Sequence, residues 1–335
     1  MLRKLKILVS RIIYRLKEAT KPKIEIKEKS IVVDKRYWNV DVKMFQNNDY
    51  TIVKVDNFYR IKKNSYDNII AYIGMAPKEK LISMKNLQWL QIVSHGYNGY
   101  DNLALYSNKN VVVTNLHNIY SEAMAQFCVS MWYGYNCYSI RKLISKKVDI
   151  KNTYTPSERV SVLIYGLGDI GSEVARLCKM QSWYAVGVKR NLVSNVPEYV
   201  DEVVSFEASR EILPKFDYVI NVLPETTETK GIYDKRFFAG MKKTALFCNV
   251  GRGTSVVDVD LENAVQNGEI RGAILDACSS YKYSHPNIIL TGHSSSFAYK
   301  NAEKINNLFF TQLKSYIENN VSELLYKIPL SVEEG

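Results

Sequence analysis

Four histidines and five cysteines in 335 residues leave few metal ligands, and no two cysteines stand in a Cys-x-x-Cys spacing. Scattered and odd in number, they argue against a disulfide framework or a zinc site. They fit reduced thiols in a cytoplasm, and no bound metal is expected. No apolar run reaches the roughly 18 residues that a membrane-spanning helix needs. Internal repeats and low-complexity tracts are missing too. What is left, 46% apolar and 24% charged residues, is the composition of a globular chain long enough for about two domains.

Acidic residues are in short supply, 34 against 45 Lys and Arg, for a net charge of +11. Such an excess can attract phosphate-rich ligands, anionic membranes or nucleic acid. A lysine-rich solvated surface is the plainer reading. No nucleic-acid-binding module is recognisable and the basic residues are dispersed, so no nucleic-acid partner is expected. The most basic segment is the start, "MLRKLKILVSRIIYRLKEATKPK". Leu2, Leu5, Val9, Ile12 and Leu16 recur there at helical spacing among six cations, which predicts a basic amphipathic helix over residues 1–20. Arg11 and Arg15 interrupt any signal-peptide core. That helix packs on its own domain, meets a protein partner, or lies on an anionic membrane surface.

Short apolar runs follow. "KSIVVD", "YTIVKVD", "NIIAYIG", "LQWLQIVSHG" and "NVVVTN" read as strands rich in Ile and Val, with helical segments between several of them. The alternation predicts parallel βαβ units. A long helix is expected over residues 119–144, with Ala125, Cys128, Val129, Trp132 and Tyr135 on one stripe. The polar stretch "KKVDIKNTYTPSERV" then reads as a connector.

"VSVLIYGLGDIGSEVARLCKM" is an apolar strand, a glycine turn and a helix. Gly166, Gly168 and Gly171 form G-x-G-x-x-G in the context that a dinucleotide site requires. The helix N-terminus offers N–H groups and a positive dipole end to a pyrophosphate. In the next strand an NAD site usually places an acid on the ribose 2′-hydroxyl. Lys189, Arg190 and Asn191 stand there instead. Two cations suit a 2′-phosphate, so NADP(H) is favoured, with NAD(H) as the alternative.

Further on, the "LPETTET" turn, "MKKTALFCNVGRGTSVVD" and "GAILDA" together resemble the D-isomer-specific 2-hydroxyacid dehydrogenases, the family of D-lactate, phosphoglycerate and glyoxylate/hydroxypyruvate reductases. The resemblance runs from about Gly96 to His293, and more loosely beyond. It implies an α/β protein of two Rossmann-like, flavodoxin-like domains with parallel sheets and a cleft between them. By the same resemblance, the nucleotide domain, residues 119–293, is expected to be inserted into a substrate domain formed by 1–118 and 294–335, and a homodimer is implied.

Position by position, Arg252 resembles the arginine that grips the substrate carboxylate and polarises its keto oxygen. His293 resembles the catalytic histidine, and imidazole suits that role because it exchanges a proton near neutral pH. Asp276 resembles the aspartate near the nicotinamide carboxamide. Leu223, Pro224 and Thr229 resemble cofactor-lining residues. Asp169 and Ile170 at the helix start, and Asn249, Val250 and Gly251 before the arginine, complete the implied cofactor lining. "SHGYNGYD" resembles the loop that receives the substrate carboxylate, which places His95, Gly96 and Tyr97 at substrate. His95 there either adds a donor or caps a strand. His117 and His285 fall in loops and are read as solvent-exposed.

One piece is missing. The family has a glutamate between this aspartate and this histidine, and residues 277–292 contain no acid. The place falls near Tyr281, the loop is shorter than usual, and Gly292 stands where a proline commonly precedes the histidine. Tyr281 or Ser279 orients the ring, a carboxylate arrives from elsewhere, or turnover is lost. The sequence therefore supports two readings. One is an NADP(H)-preferring reductase that interconverts a small 2-oxo acid and a D-2-hydroxy acid, with Tyr281 beside the substrate. The other is a weakened relative serving as cofactor-binding sensor or assembly partner.

Overall fold

The computed structural model describes residues 22–38, 45, 49–97, 99–144, 159–191, 196–279, 281–298, 301–319 and 321–331. The basic helix expected over 1–20 and most of the 146–160 connector lie outside them. The chain folds into two compact units, Met1–Ile119 with Lys300–Gly335, and Tyr120–Tyr299 inserted between.

The first unit is built on a parallel sheet of order β2-β1-β3-β4-β5: β1 Ser30–Asp34, β2 Thr51–Val55, β3 Ile69–Ile73, β4 Trp89–Gln91 and β5 Val112–Thr114. All five fall on the runs that the sequence marks as strands. Val32, Tyr72, Leu90 and Val113 alternate onto one face and pack on Phe58, Tyr66, Leu81 and Tyr106. Leu81 ends the short helix α1, Lys78–Leu81. After the second unit the chain returns. A terminal helix sets Phe309 edge-on to Trp38, and Tyr316 against Trp89 with its hydroxyl donating to Gln88.

In the second unit the expected single helix is two, α2 Ser121–Asn136 and α3 Tyr138–Ile144. Cys137 adopts an extended conformation between them, and its N–H still bonds the Tyr133 carbonyl. Apolar spacing continues across the break, so periodicity alone could not reveal it. Ala125, Cys128, Trp132 and Tyr135 are buried as the stripe requires, and Val129 is half-buried. The sheet carries seven parallel strands in the order β12-β11-β10-β9-β6-β7-β8: β6 Ser161–Tyr165, β7 Tyr184–Val188, β8 Glu202–Val204, β9 Tyr218–Asn221, β10 Leu246–Asn249, β11 Gly272–Leu275 and β12 Ile288–Leu290. The connecting helices are α4 Asp169–Met180, α5 Phe206–Ile212, α6 Lys235–Ala239 and α7 Asp258–Gln266, and the terminal helix Asn301–Asn319 is α8.

Both faces of this sheet are covered, as parallel sheets require. Val162 and Ile164 of β6 join α2 and α4 on one face. Leu163 and Tyr165 of the same strand join an aromatic cluster of Tyr233, Phe237, Phe238 and Phe247 on the other. Phe237 is 1% exposed and meets Tyr165, Tyr233 and Phe247 at ring distances of 5.5, 4.7 and 6.3 Å. Chain order reverses between β6 and β9, the kind of switch point where α/β sheets bind ligands beyond their carboxyl ends. We expect Phe237→Ala to cost about 3–5 kcal/mol of stability, the range for emptying a buried aromatic site. Chemical denaturation measures it.

Candidate active site

Register places the site. Val188, Tyr165, Asn221, Asn249, Leu275 and Leu290 stand side by side in one line across β7, β6, β9, β10, β11 and β12. The next residue of each strand therefore leaves the sheet at the same edge: Lys189, Gly166, Val222, Val250, Asp276 and Thr291. Backbone bonds carry the ladder one step past the strands, Gly166 N–H to Val188, Val222 to Tyr165, Val250 to Asn221 and Asp276 to Asn249. Every second-unit residue that the sequence assigns to cofactor or substrate, except Tyr281, lies on or just beyond this edge.

The glycine turn is shaped for close approach. A Cβ on Gly171 would lie 1.8 Å from the Gly166 carbonyl oxygen, so the first turn of α4 packs backbone to backbone on the strand end. A Cβ on Gly168, the residue capping α4, would meet nothing within 4 Å. Open space thus lies before the N-terminus of a helix of 12 residues, the form of a phosphate site. Ile170 is buried under the turn, and Asp169 sits in the first helical turn. At the tip of β7, Lys189 is half-buried, and Arg190 and Asn191 are exposed. Arg190 lies 3.7 Å from Glu228 of the "LPETTET" turn, both well exposed.

That turn is held by Thr229. Its hydroxyl donates to the Pro224 carbonyl at 2.7 Å and accepts the Thr226 N–H at 2.8 Å. The Leu223 N–H bonds the Asn221 side chain.

Arg252 is presented by a loop with little freedom. A Cβ on Gly251 would meet the Leu223 carbonyl oxygen at 2.7 Å, and one on Gly253 the Cys278 carbonyl carbon at 2.5 Å. The loop is therefore wedged between the turns that follow β9 and β11. Asn249 ties it down: its amide donates to the Arg252 and Ala277 carbonyls and its oxygen accepts the Gly251 N–H. Half-buried, the guanidinium bonds only the Gly251 carbonyl and has no carboxylate partner among the described residues. Burial pushes its pKa below the ordinary arginine value, and the charge of Glu225 partly restores it.

Asp276 is 2% exposed and organises the turn that carries His293. Its carboxylate accepts from Thr291 Oγ1 at 2.6 Å and from the N–H groups of Ser294 and Ser295 at 2.7 and 3.1 Å. Its backbone carbonyl accepts the His293 N–H at 3.0 Å. Burial alone would raise the Asp276 pKa, but these donors outweigh it and the value falls below normal. Gly292 and His293 both adopt left-handed φ, +73° and +62°. For histidine that is uncommon and costs energy, the kind of backbone that surrounding bonds must impose. The imidazole is exposed and has no hydrogen-bond partner among the described residues.

Tyr281 and Ser279 do not orient that ring. Tyr281 donates to Glu262 of α7 at 2.7 Å, while Ser279 and Tyr283 both bond Asp258 at the start of α7. Ser284 donates to Glu262 as well, and the donors together hold its carboxyl down at about 2. The hydroxyls of Ser279, Tyr281, Tyr283 and Ser284 are thus spent on α7 and not on the His293 ring. His285 accepts the Asn287 N–H, and burial lowers its pKa.

In the first unit, His95, Gly96 and Tyr97 follow β4, on the carboxyl edge of that sheet. His95 Nδ1 lies 3.2 Å from the Leu116 carbonyl, and its ring packs on His117 at 5.4 Å. His117 stacks in turn on Tyr326 at 5.2 Å and is half-buried, not the solvent-exposed loop residue expected.

Sequence reasoning missed Asn221, Tyr233 and Ser255. Asn221 donates to Asn249 and Ser255 and accepts from the Tyr233 hydroxyl, all in the interior, and from the partly buried Leu223 N–H. One signal was available: "YVIN" and "LFCN" both end an apolar strand on asparagine.

Residues 140–295 match the family model described as D-isomer specific 2-hydroxyacid dehydrogenase, NAD binding domain. A probable 2-ketogluconate reductase of Dictyostelium discoideum is 25% identical over 283 residues, 78% of this chain and 82% of that protein. A glyoxylate/hydroxypyruvate reductase A of Escherichia fergusonii is 34% identical over 146 residues, 41% and 45% of the two chains. Among solved structures, a D-isomer specific 2-hydroxyacid dehydrogenase family protein from Aeromonas salmonicida superposes with TM-score 0.73 at 21% identity, over 90% of this chain and 99% of that one. A glyoxylate reductase from Paecilomyes thermophila gives 0.72 at 18%, over 91% and 99%. In residues 140–295 the chain is thus similar to the NAD binding domain of the D-isomer-specific 2-hydroxyacid dehydrogenases, and its two-sheet fold is that of solved proteins of this kind.

Proposed function

We propose that this protein reduces a small 2-oxo acid to the D-2-hydroxy acid and prefers NADP(H). The observation that carries the reading is Arg252: a half-buried guanidinium with no carboxylate partner among the described residues, fixed by wedged glycines on the site edge. A planar fork in that state is ready for a carboxylate ligand, which it can bind through two hydrogen bonds while polarising the adjacent keto oxygen. The nicotinamide cofactor supplies the hydride when bound. His293 then delivers a proton to the keto oxygen, and takes it back in the reverse direction. His95, Gly96 and Tyr97 are assigned to the carboxylate-receiving loop of the first unit.

Lys189 and Arg190 support the NADP(H) preference, since no acid stands at the tip of β7 to select a 2′-hydroxyl. Glu228 beside Arg190 tempers that preference. One observation favours a second reading, a nucleotide-binding relative of low turnover: the His293 ring is exposed and no carboxylate bonds it among the described residues.

Steady-state reduction of a panel of 2-oxo acids with NADPH and NADH decides between the readings. His293→Ala should lower kcat by about 10²–10⁴-fold with NADPH affinity kept, the usual contribution of positioned proton transfer. Arg252→Ala should raise KM and lower kcat together. Unimpaired turnover in His293→Ala would remove it as the proton donor, and no turnover of any 2-oxo acid by the parent protein would favour the second reading.

For the cofactor, replacing both Lys189 and Arg190 by Ala should weaken NADPH binding by about 1.5–3 kcal/mol per charged hydrogen bond lost and leave NADH nearly unchanged. Glu228→Gln should tighten NADPH. Fluorescence titration checks both, and tighter NADH binding by the parent would end the argument.

For the histidine turn, the depressed pKa of Asp276 gives a sign. Its stabilisation is complete above the ordinary value of 3.8 and is lost as pH falls through the lower folded value. The amide resonances of Ser294 and Ser295 should hold steady above that point and shift together below it. Asp276→Asn should disturb both at neutral pH.

A further inference from the structure

We propose that the first unit carries a second small-molecule site, which takes a phosphate monoester attached to an apolar ring. The site is a cavity of 690 Å³ walled by the β2–β3 connection and α1. That is within the span of ordinary ligand pockets, about 300–1,000 Å³. None of its lining residues belongs to the proposed catalytic or cofactor set.

Its apolar wall is Ile61, 3% exposed, and the ring of Tyr66, 6% exposed and packed on Phe58 at 5.3 Å. The Tyr66 ring is buried, but its hydroxyl is not shut away from solvent, and it forms no hydrogen bond among the described residues. Burial raises its pKa, which keeps the phenol a neutral donor. A neutral hydroxyl on the cavity wall can donate to an oxygen of a bound ligand.

Charge identifies the acceptor. Lys23, Lys62, Lys63 and Lys80 line the cavity against one acid, Glu79. Two of these cations are engaged: Lys62 pairs with Glu25 at 2.7 Å, and Lys23 donates to the Tyr59 carbonyl at 2.8 Å. Glu79 accepts the Tyr59 hydroxyl. The Lys63 and Lys80 side chains have neither an ion pair nor a hydrogen bond among the described residues. Two uncommitted ammonium groups and one phenol therefore face a single cavity. Lysine binds phosphate as a point charge without the flat carboxylate fork of arginine, so a compact dianionic head suits this set. The apolar wall leaves room for one ring beside it.

The test uses the full chain saturated with NADPH, so that the nucleotide site is filled, and isothermal titration at low salt. Phenyl phosphate is the probe, with inorganic phosphate and phenol as its two halves. Phenyl phosphate should bind saturably, with each half weaker by about tenfold or more, the worth of roughly one charged hydrogen bond or one buried ring. Lys63→Gln with Lys80→Gln should weaken phenyl phosphate by at least about tenfold, and Tyr66→Phe should weaken it less, with NADPH affinity unchanged in all. Absence of saturable phenyl phosphate binding overturns the proposal. Binding indifferent to the lysine pair, or inorganic phosphate binding as tightly as its phenyl ester, overturns it equally.

Discussion

Asn221 and Asn249 face each other in register at the ends of β9 and β10, fully buried, and the amide of one donates to the oxygen of the other at 2.9 Å. Their remaining polar atoms hold the turn after β9, the arginine loop after β10, the turn after β11, and the Tyr233 and Ser255 hydroxyls. A buried amide left unsatisfied is expensive, so each bond of this set enforces the others. Three loops that share no local sequence are thereby fixed to one strand edge. The glycines beside Arg252 belong to the same constraint, since the space they leave is occupied by backbone of the neighbouring turns.

The absent glutamate has a structural counterpart of a different kind. Asp276 does not reach the imidazole. It bonds three donors of the turn, and its own carbonyl holds the His293 N–H. The carboxylate thus positions the backbone that carries the histidine and leaves the ring exposed. The hydroxyls of Ser279, Tyr281 and Tyr283 meanwhile run to Asp258 and Glu262 of α7, which pins the loop to the helix. A ring positioned only through its backbone keeps more rotational freedom than one gripped at a nitrogen.

Local pattern determined a great deal by itself. The strands, the glycine turn of G-x-G-x-x-G and the helix beyond it were legible because their signals lie within a few residues: apolar runs, turn residues, and a glycine where backbone must meet backbone. The cations at the tip of β7 and the lack of acid between 277 and 292 were equally plain. The tertiary structure alone decided which distant groups meet. Tyr281 finds Glu262 across 19 residues and Asn221 finds Asn249 across 28, and these pairings follow from strand register and helix packing, which no local window contains. The break at Cys137 was hidden because apolar spacing runs on through it. Register is a property of strands side by side, and it turned a set of separately readable motifs into one edge.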